Sequence, residues 1–419
     1  MSQINLQNRP ENLIQNHQQN KPTNNLHSGQ KKILLNAFDM NCVGHINHGL
    51  WTHPRDESYR FNELSYWTDL AKTLEKGLFD GLFIADITGL YDVYQNGIDL
   101  TLKESIQLPS HDPSTLVSAM AAVTEHLGFG ITVNLSYESP YQFARRFASL
   151  DHLTQGRIGW NIVTGYLDSA ERLIGQKGLK EHDQRYEQAE EFLELCYKFW
   201  EGSWENDAVI IDKKQRIFTQ PNKVHAIQHD GKFYKSEGVF QVSPSIQRTP
   251  VLFQAGASPR GLKFATRHAE AMFIGGDNTE KLKKQVDSIR ELARLDGRDD
   301  QALKLFAGIT VVTAETDELA QEKLKEYVKY ASSEAGLAHL SSSVGIDFSQ
   351  YADDDVIPYQ QTNSIVSVND RFKEQKVTLG DLKAQHLLGG RYPLFVGSGT
   401  TVAEQLIELI DATGLDGFN

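Results

Sequence analysis

Cysteine is scarce in this sequence, and long apolar runs are missing. The 419 residues contain two cysteines, Cys42 and Cys196. Two distant cysteines exclude a disulfide framework and a CxxC metal site, and they are typical of a protein kept in a reducing cytoplasm. The longest apolar stretches, such as residues 305–312, are far shorter than the roughly 20 residues that cross a bilayer, so we expect no membrane span.

An excess of positive charge is also missing. Lysine and arginine number 42 against 55 aspartates and glutamates, which gives a net charge of −13. Such a charge repels phosphate backbones and anionic lipids, which argues against nucleic acid as a partner. The N-terminal segment is rich in Asn and Gln and lacks the charged and apolar regions of a secretory signal. We therefore expect residues 1–30 to form a disordered leader.

From Lys32 onward, short runs of β-branched and large apolar residues alternate with amphipathic segments of helical length, such as residues 60–76 and 113–126. This alternation is typical of repeated βα units. About eight such units in a chain of this size predict an α/β fold of the (β/α)8 TIM-barrel type, as a single domain over residues 31–419. The predicted strands are residues 33–37, 80–85, 128–133, 157–163, 250–255, 271–275 and 303–312.

Longer segments interrupt the alternation near residues 167–180, 204–246 and 332–391. We interpret them as insertions in barrel loops, and the second carries a hairpin signal at residues 229–232. An eighth strand would begin at residues 416–419, directly after a predicted helix, but the sequence stops there. We therefore expect a truncated final β/α unit that leaves a gap in the barrel, and a fold that is destabilised or completed by a partner.

In a barrel of this type the active site lies at the carboxyl ends of the strands, so polar residues just after each predicted strand are candidates. Most of them are neutral amides and hydroxyls, which suit hydrogen bonding to a neutral heterocycle better than hydrolysis. Taken singly, each is better explained as a strand-end cap, and only the set as a whole points to a site. The candidates are Asp39, Asn41, Cys42, His45, Asp86, Thr132, Asn134, Asn161, Thr164, Gln254 and Ser258.

The segment QAGASPRG, from Gln254 to Gly261, predicts an anion site. Ser258 fits a helix N-cap, Pro259 fits the first helical position, and the glycines allow close approach of the backbone. Free amides at the positive end of a helix hold a phosphate group. An ordinary capped helix is the alternative interpretation.

Two other motifs suggest chemistry that the rest of the sequence does not support. His45, His48 and His53 lie close together, but a barrel metal hydrolase needs a His-x-His pair at the first strand and further ligands on later strands. We interpret these imidazoles as pocket lining or loop packing, with no metal. The Gly-rich segment 396–403 imitates a dinucleotide fingerprint, but Asp416 comes at the start of the next strand and no βαβ unit follows.

Several blocks of the sequence match a known family pattern. They are NAFDMNCVGH at 36–45 with GLW at 49–51, FDGLFIAD at 79–86, YDVY at 91–94, SLDHLT at 149–154, GR at 156–157, WNIVT at 160–164, EHD and RY within 181–186, LCYKFWEGSW at 195–204, and QAG with Ser258. With these blocks, residues 32–419 resemble the bacterial-luciferase-like FMN-dependent monooxygenases, in the group of nitrilotriacetate, dibenzothiophene-sulfone, dimethyl-sulfide and long-chain alkane monooxygenases.

The resemblance implies an FMN cofactor, used as FMNH2, and it implies which residues bind it. Positions around the flavin ring are matched, and so are positions at the phosphate and ribityl chain, in agreement with the predicted anion site. The matched residues are Asp86, Thr132 and Asn161 around the ring, and Tyr186, Gly256 and Ser258 at the phosphate end.

One block departs from the family pattern. Where the family continues its fourth strand with Thr-Ser, this sequence has Thr164, Gly165 and Tyr166, so a side-chain hydroxyl near the phosphate is lost. We expect the backbone amide of Gly165 to replace it. Tyr166, a further candidate for FMN binding, stands where the alkane branch has a histidine, so the substrate is not transferred from that branch.

The resemblance further implies a two-component monooxygenase. A separate NAD(P)H-dependent flavin reductase would supply FMNH2, and one oxygen of O2 would enter a small organosulfur compound or an alkyl chain. The candidate catalytic residues at the pocket wall are Cys42, His45, Tyr91 and Gln107. We also expect a cytoplasmic homo-oligomer. The alternatives are a deazaflavin-dependent dehydrogenase of the same fold, a metal-dependent TIM-barrel hydrolase, and a flavin-binding protein without catalysis.

Overall fold

The computed structural model describes residues 32–276, 278–360, 365, 372, 376–388 and 392–419. The expected leader, residues 1–30, lies outside the described residues, as does part of the expected insertion at 332–391. Among the described residues, no helix is both long enough and apolar enough to cross a membrane.

Eight parallel strands close into a barrel, in the order β1-β14-β11-β10-β9-β4-β3-β2. The predicted TIM-type α/β barrel is therefore confirmed. Each predicted strand overlaps a barrel strand, because runs of buried β-branched and aromatic residues are what a sheet covered on both faces requires. The barrel strands are β1 Leu34–Met40, β2 Gly81–Ala85, β3 Gly128–Asn134, β4 Ile158–Val163, β9 Val251–Gln254, β10 Ala271–Ile274, β11 Lys304–Ala307 and β14 Gly417–Phe418.

The expected gap in the barrel is wrong, because strand β14 closes it. Gly417 pairs with Leu34 on one side and with Phe306 on the other, so the last strand joins β1 to β11. A Cβ at Gly417 would lie 2.1 Å from the carbonyl oxygen of Leu34, so only glycine allows this approach. The eighth strand begins where it was predicted, and two residues are enough to remove both exposed edges.

The predicted strand at 303–312 is two strands. β11 stays in the barrel, whereas β12, Thr310–Ala314, leaves it and pairs in parallel with β13, Leu394–Ser398. The break falls at Gly308, where a Cβ would overlap the ring of Tyr392. A continuous apolar run in the sequence therefore hides a change of sheet.

The helices surround the barrel, each with one buried stripe. In the first helix the stripe is Trp67, Ala71 and Leu74, and the helix begins four residues later than predicted, at Leu64. The third helix ends at Ala121, short of the predicted 126. The helices are α1 Leu64–Lys76, α2 Asp99–Lys103, α3 Ser114–Ala121, α4 Pro140–Thr154, α5 Asp168–Leu173, α6 His182–Tyr197, α7 Pro259–His268, α8 Thr279–Leu295, α9 Asp317–Val328, α10 Ser333–Val344, α11 Leu379–Gln385 and α12 Gly399–Thr413.

The segments expected to be insertions carry their own elements. The first contains α5, and the third contains α10 and α11. The second contains two antiparallel hairpins, β5 Val209–Asp212 with β6 Ile217–Thr219, and β7 Ala226–Asp230 with β8 Lys235–Val239. The hairpin predicted at 229–232 is confirmed as the β7–β8 pair.

Aromatic rings fill the middle of the barrel. Phe83 on β2 contacts Phe273 on β10 across the interior, with ring centroids 4.3 Å apart, and Phe273 stacks on Phe253 at 5.6 Å. Two glycines make room for them, since a Cβ at Gly130 or Gly159 would lie within 2.9 Å of these rings. Phe253 is the register partner of Asn161, so this layer, called the aromatic floor below, lies beside the polar residues at the carboxyl ends of the strands.

Candidate active site

The site residues predicted on the strands lie together at one end of the barrel. They follow or end five strands that are neighbours in the sheet, β1, β2, β3, β4 and β9. Because all of these strands are parallel, their carboxyl ends share one rim. The residues are His45 after β1, Asp86 after β2, Thr132 on β3, Asn161 on β4, and Gly256 after β9.

Thr132 and Asn161 form a buried polar pair on the aromatic floor. The side-chain amide of Asn161 donates to Thr132 Oγ1 at 2.9 Å, and the two residues are partners in the β3–β4 register. Asn161 Oδ1 is buried and has no hydrogen-bond partner among the described residues. A buried acceptor without a donor costs about 1–3 kcal/mol, so this atom calls for an N–H group of a ligand.

A helix N-terminus forms the opposite end of the site. Ser258 caps helix α7, and its Oγ accepts from the backbone N–H of Gly261 at 3.1 Å, with Pro259 at the first helical position, as predicted. His182 lies at the start of α6, and its Nε2 is 3.2 Å from Ser258 Oγ. The amides and positive helix end, together with the imidazole, form a concentrated set of donors for an anion.

The hydroxyl of Tyr186 packs directly against this helix N-terminus. A Cβ at Gly256 would lie 2.6 Å from Tyr186 Oη, and a Cβ at Gly261 would lie 2.7 Å from it. Gln254 Nε2 is 3.3 Å from the same oxygen, and burial raises the pKa of Tyr186. The glycines are therefore required by close packing, and the phenol stays protonated and able to donate.

Arg260 places a positive charge beside the anion site. Its guanidinium lies over the ring of Tyr186, 5.7 Å from the centroid. Glu190 holds it at 3.3 Å, and the same carboxylate accepts from His268 at 2.7 Å. Sequence reasoning missed Arg260 and His182 as site residues, although His182 lies inside the EHD block and Arg260 inside the segment 254–261 that predicts the anion site.

Two carboxyl groups near the rim are shifted towards the neutral form. Burial raises the pKa of Asp86 to about 7, although a hydrogen bond from the backbone N–H of Ile87 acts in the opposite direction. Burial also raises the pKa of Asp39 to about 7, opposed by the N–H of Met40. Near neutral pH both groups can therefore donate a proton as well as accept a hydrogen bond.

Cys42, proposed as a catalytic residue, lies in a buried position. Its backbone forms an isolated antiparallel bridge with Ser110. Burial, with the negative charge of Asp39 nearby, raises the pKa of its thiol to about 12. The thiolate is therefore disfavoured, and any role of Cys42 in the reaction is that of a neutral thiol.

Tyr91, Gln107, His45 and Tyr166 are brought together by hydrogen bonds. Tyr91 Oη donates to Gln107 Oε1 at 2.5 Å, and Gln107 Nε2 donates to the backbone carbonyl of His45 at 3.3 Å. Tyr166 Oη is 3.4 Å from Tyr91 Oη. The ring of His45 packs edge-on against Phe38, with centroids 4.4 Å apart. Three separate loops therefore converge on one polar cluster at the barrel mouth.

Gly165 has a backbone that other residues rarely adopt. Its φ is +78°, and a Cβ would lie 2.7 Å from Asn134 Nδ2 and 3.1 Å from Tyr137 Oη. The departure from the family's Thr-Ser pair therefore has a steric reason in this chain. It also places the next residue, Tyr166, against Tyr91.

A small pocket, with a cavity volume of about 30 Å³, adjoins this cluster, and sequence reasoning found only part of its lining. His48 was expected to line a pocket, and it does. His339 on α10 and His386 after α11 come from the third insertion, where no local motif marked them. Tyr392 and Ser343 complete the polar lining, beside Ile46 and Leu340.

The histidines of this pocket do not resemble a metal centre. Among the described residues, no group of three or more His, Cys, Asp or Glu side chains is arranged to hold a metal ion. Burial, together with the charge of His386, lowers the pKa of His48 to about 4, so His48 is neutral at physiological pH. His53, in the same loop, lies apart and pairs with Glu326 at 3.1 Å.

The residues fit a flavin mononucleotide in two respects. Asn161 Oδ1 is an orphaned acceptor suited to a ring N–H, and the α7 N-terminus is a donor set suited to a terminal phosphate. The stacked rings of Phe253 and Phe273 supply apolar surface in the barrel interior near Asn161, which suits a planar ring. A ligand with an anion at one end and a hydrogen-bonding heterocycle at the other matches this arrangement.

Comparison with known proteins agrees with the fold and the site. Residues 45–417 match the family described as luciferase-like monooxygenase. The chain is 47% identical over 389 residues to the long-chain alkane monooxygenase of Geobacillus thermodenitrificans (strain NG80-2), covering 93% of this chain and 85% of that protein. It is 46% identical over 394 residues to the dimethyl-sulfide monooxygenase of Hyphomicrobium sulfonivorans, covering 93% and 82%.

A solved structure gives the same result in three dimensions. The crystal structure of a riboflavin lyase with modified FMN and riboflavin superimposes with a TM-score of 0.86 at 38% identity, covering 93% of this chain and 86% of that chain. The family predicted from the sequence blocks is confirmed: this chain belongs to the luciferase-like monooxygenase family.

Proposed function

We propose that this chain is the oxygenase of a two-component system that uses reduced FMN and inserts one oxygen of O2 into a small organosulfur compound or an alkyl chain. The observation that carries the proposal is the pairing of an anion site at α7 with an orphaned buried acceptor, Asn161 Oδ1, on neighbouring strands of one barrel rim. The family membership and the relatives that act on alkanes and dimethyl sulfide support it.

One end of the site would bind the phosphate of FMN, and the other end would bind its ring. Ser258, Tyr186 and the amide of Gly261 would hold the phosphate, with His182 and Arg260 adding donors and positive charge. At the ring end, Asn161 and Thr132 would accept from the heterocycle, and Asp86 would add a group that either donates or accepts near neutral pH. Bound reduced FMN supplies the activation of O2.

The remaining residues prepare the space in which the substrate reacts. Tyr91 is fixed by Gln107 and approached by Tyr166, so its hydroxyl has a defined direction in a buried wall. Such a wall excludes water and orients the substrate, which is the contribution that the protein makes when a cofactor carries the chemistry. His45 holds Gln107 through its backbone and lies beside the aromatic floor.

A separate reductase is proposed because the segment that imitates a dinucleotide-binding motif is a capped helix start, and it would not bind NAD(P)H. In residues 396–403, Ser398 caps α12, and Asp317 Oδ1 accepts from the N–H of Ser398 at 2.6 Å. Asp317 Oδ2 also accepts from Thr401 at 3.1 Å. A carboxylate therefore occupies the position that a nucleotide phosphate would need, and it would repel one.

The test is NADH-dependent turnover with FMN, a flavin reductase and ¹⁸O2, on a panel of alkyl sulfides, sulfones, alkanes and aminopolycarboxylates. We expect a product with one ¹⁸O atom that requires reductase, FMN and O2 together. Oxidation of the substrate without O2, with an oxidised deazaflavin as the hydride acceptor, would favour the dehydrogenase of the same fold. Hydrolysis without any reductant would favour the metal-dependent hydrolase. Flavin binding with no turnover on the panel would favour a binding protein without catalysis.

A further inference from the structure

His48 and His339 are joined by a hydrogen bond at the edge of the pocket. His48 Nε2 is 3.0 Å from His339 Nδ1, and the rings meet edge to face at 89° with centroids 5.1 Å apart. The ring of His339 also packs against Tyr91, with centroids 4.7 Å apart. His339 is therefore the link between His48 and the Tyr91–Gln107 cluster.

The backbone holds these two histidines at a fixed separation. The carbonyl of His48 accepts from the N–H of Ser332 at 2.9 Å, and Ser332 is the N-cap of α10, the helix that carries His339. The next residue, Gly49, has a φ of +85°, and a Cβ there would lie 2.5 Å from the carbonyl oxygen of Tyr330. Loop and helix are therefore packed closely, which fixes the separation of the backbones that carry the two rings.

A neutral imidazole has one N–H and one acceptor nitrogen. His48 is buried beside His386, and these surroundings keep it neutral. In its bond with His339, one nitrogen must donate and the other must accept, so the tautomer of one ring determines the tautomer of the other. The nitrogen that His339 presents away from His48 is thereby defined as either a donor or an acceptor.

We propose that His48 is a positioning residue that fixes the ring orientation and the tautomer of His339 beside Tyr91 in the reaction pocket. The proposal rests on the proposed function for its effect on turnover, but the geometry of the pair does not depend on that function. His339 is the residue expected to face the substrate, and His48 acts only through it.

The test compares two substitutions at His48 with a control in the same loop. His48→Phe keeps the bulk and removes the hydrogen bond, whereas His48→Gln can place an amide where Nε2 lies. His53→Phe is the control, because His53 is also buried but pairs with Glu326 outside the pocket. The melting temperature and the FMN affinity of all three variants are measured first, and both should equal those of the unmodified chain.

The first readout is long-range ¹H–¹⁵N NMR of the full chain with ¹⁵N-labelled histidine, with His339 assigned from a His339→Gln sample. We expect one tautomer of His339 in the unmodified chain and in His48→Gln, and a different or mixed tautomer in His48→Phe. This readout needs no substrate. An unchanged His339 spectrum in His48→Phe would overturn the proposal even if the chain proves to be the proposed oxygenase.

The second readout is turnover on whichever substrate the panel identifies. Misorientation of a pocket group typically costs about tenfold to a hundredfold, so we expect His48→Phe to lower kcat by that factor with KM nearly unchanged. His48→Gln should recover most of the loss, and His53→Phe should have no effect. A fall in turnover that His48→Gln does not rescue would contradict the tautomer role. Absence of turnover in the unmodified chain would count against the proposed function, and the NMR result would still decide the role of His48.

Discussion

Arg290 on α8 donates to Asp416 at 2.6 Å, and both side chains are buried in the barrel wall. The same carboxylate oxygen accepts from the N–H of Leu305 at 2.9 Å, and Arg290 also donates to the carbonyl of Leu303 at 2.7 Å. Asp416 directly precedes the two-residue strand that closes the barrel. The ion pair therefore anchors the eighth strand beside the seventh.

Replacement of Asp416 by Asn should destabilise the fold. Arg290 would keep its charge in a buried place without its counter-ion, which typically costs about 3–5 kcal/mol. Urea unfolding of Asp416→Asn against the unmodified chain measures this difference. Asp287→Asn is the matched control, because Asp287 pairs with Lys283 on the exposed face of the same helix, and it should change the free energy of unfolding by less than about 1 kcal/mol. Equal effects of the two substitutions would show that the anchor is not required.

Much of the barrel was predictable because its strands are short continuous runs of apolar residues that alternate regularly with amphipathic helical segments. The polar rim was predictable too, since parallel strands bring Asp86, Thr132 and Asn161 to one end whatever their separation in sequence. The start of the last strand was predicted at residues 416–419, but closure of the barrel was not, because only the pairing of Gly417–Phe418 with its two neighbours shows that two residues suffice. His339 and His386 were missed for a related reason. His339 lies on helix α10 of an insertion and His386 directly follows helix α11, and only tertiary packing brings them to the pocket.

Ser258→Ala should weaken the binding of FMN but leave the binding of riboflavin unchanged. Ser258 supplies a hydroxyl and organises the amide of Gly261, and both would contact the phosphate that riboflavin lacks. Loss of a hydrogen bond to a charged group corresponds to about a tenfold loss of affinity or more. Fluorescence titration of both flavins measures it. Ser398→Ala removes the matching N-cap of α12 and should alter neither affinity. An equal loss for FMN and riboflavin would exclude a phosphate role.

Gly261→Ala should destabilise the fold, and Tyr186→Phe should relieve part of that cost. The added Cβ would lie 2.7 Å from Tyr186 Oη, closer than any other atom around it. Overpacking of this kind costs about 1–3 kcal/mol. The free energies of unfolding of the unmodified chain, the two single variants and the double variant form a double-mutant cycle. The double variant should lose less stability than the two single variants lose in sum. Strict additivity would mean that the glycine is not required by the tyrosine hydroxyl.

Asp39 should make the fold less stable as pH rises. Its pKa is raised by burial from an ordinary value near 3.8 to about 7, so the folded chain binds the proton more tightly than the unfolded chain. The favourable contribution is complete below the unfolded pKa and is lost as pH rises through about 7. Asp39→Asn keeps the shape and removes the titration, so it should become more stable relative to the unmodified chain between pH 5 and pH 8, by about 1–2 kcal/mol. A difference in unfolding free energy that is the same at both pH values would contradict the burial of this carboxyl group.

The central claim, that the barrel mouth holds reduced FMN, is tested most directly by anaerobic equilibrium binding of FMNH2 to the purified chain. We predict saturable binding of one flavin per chain, competed by excess FMN and weakened in Ser258→Ala. A chain that retains no flavin in either redox state would contradict the account.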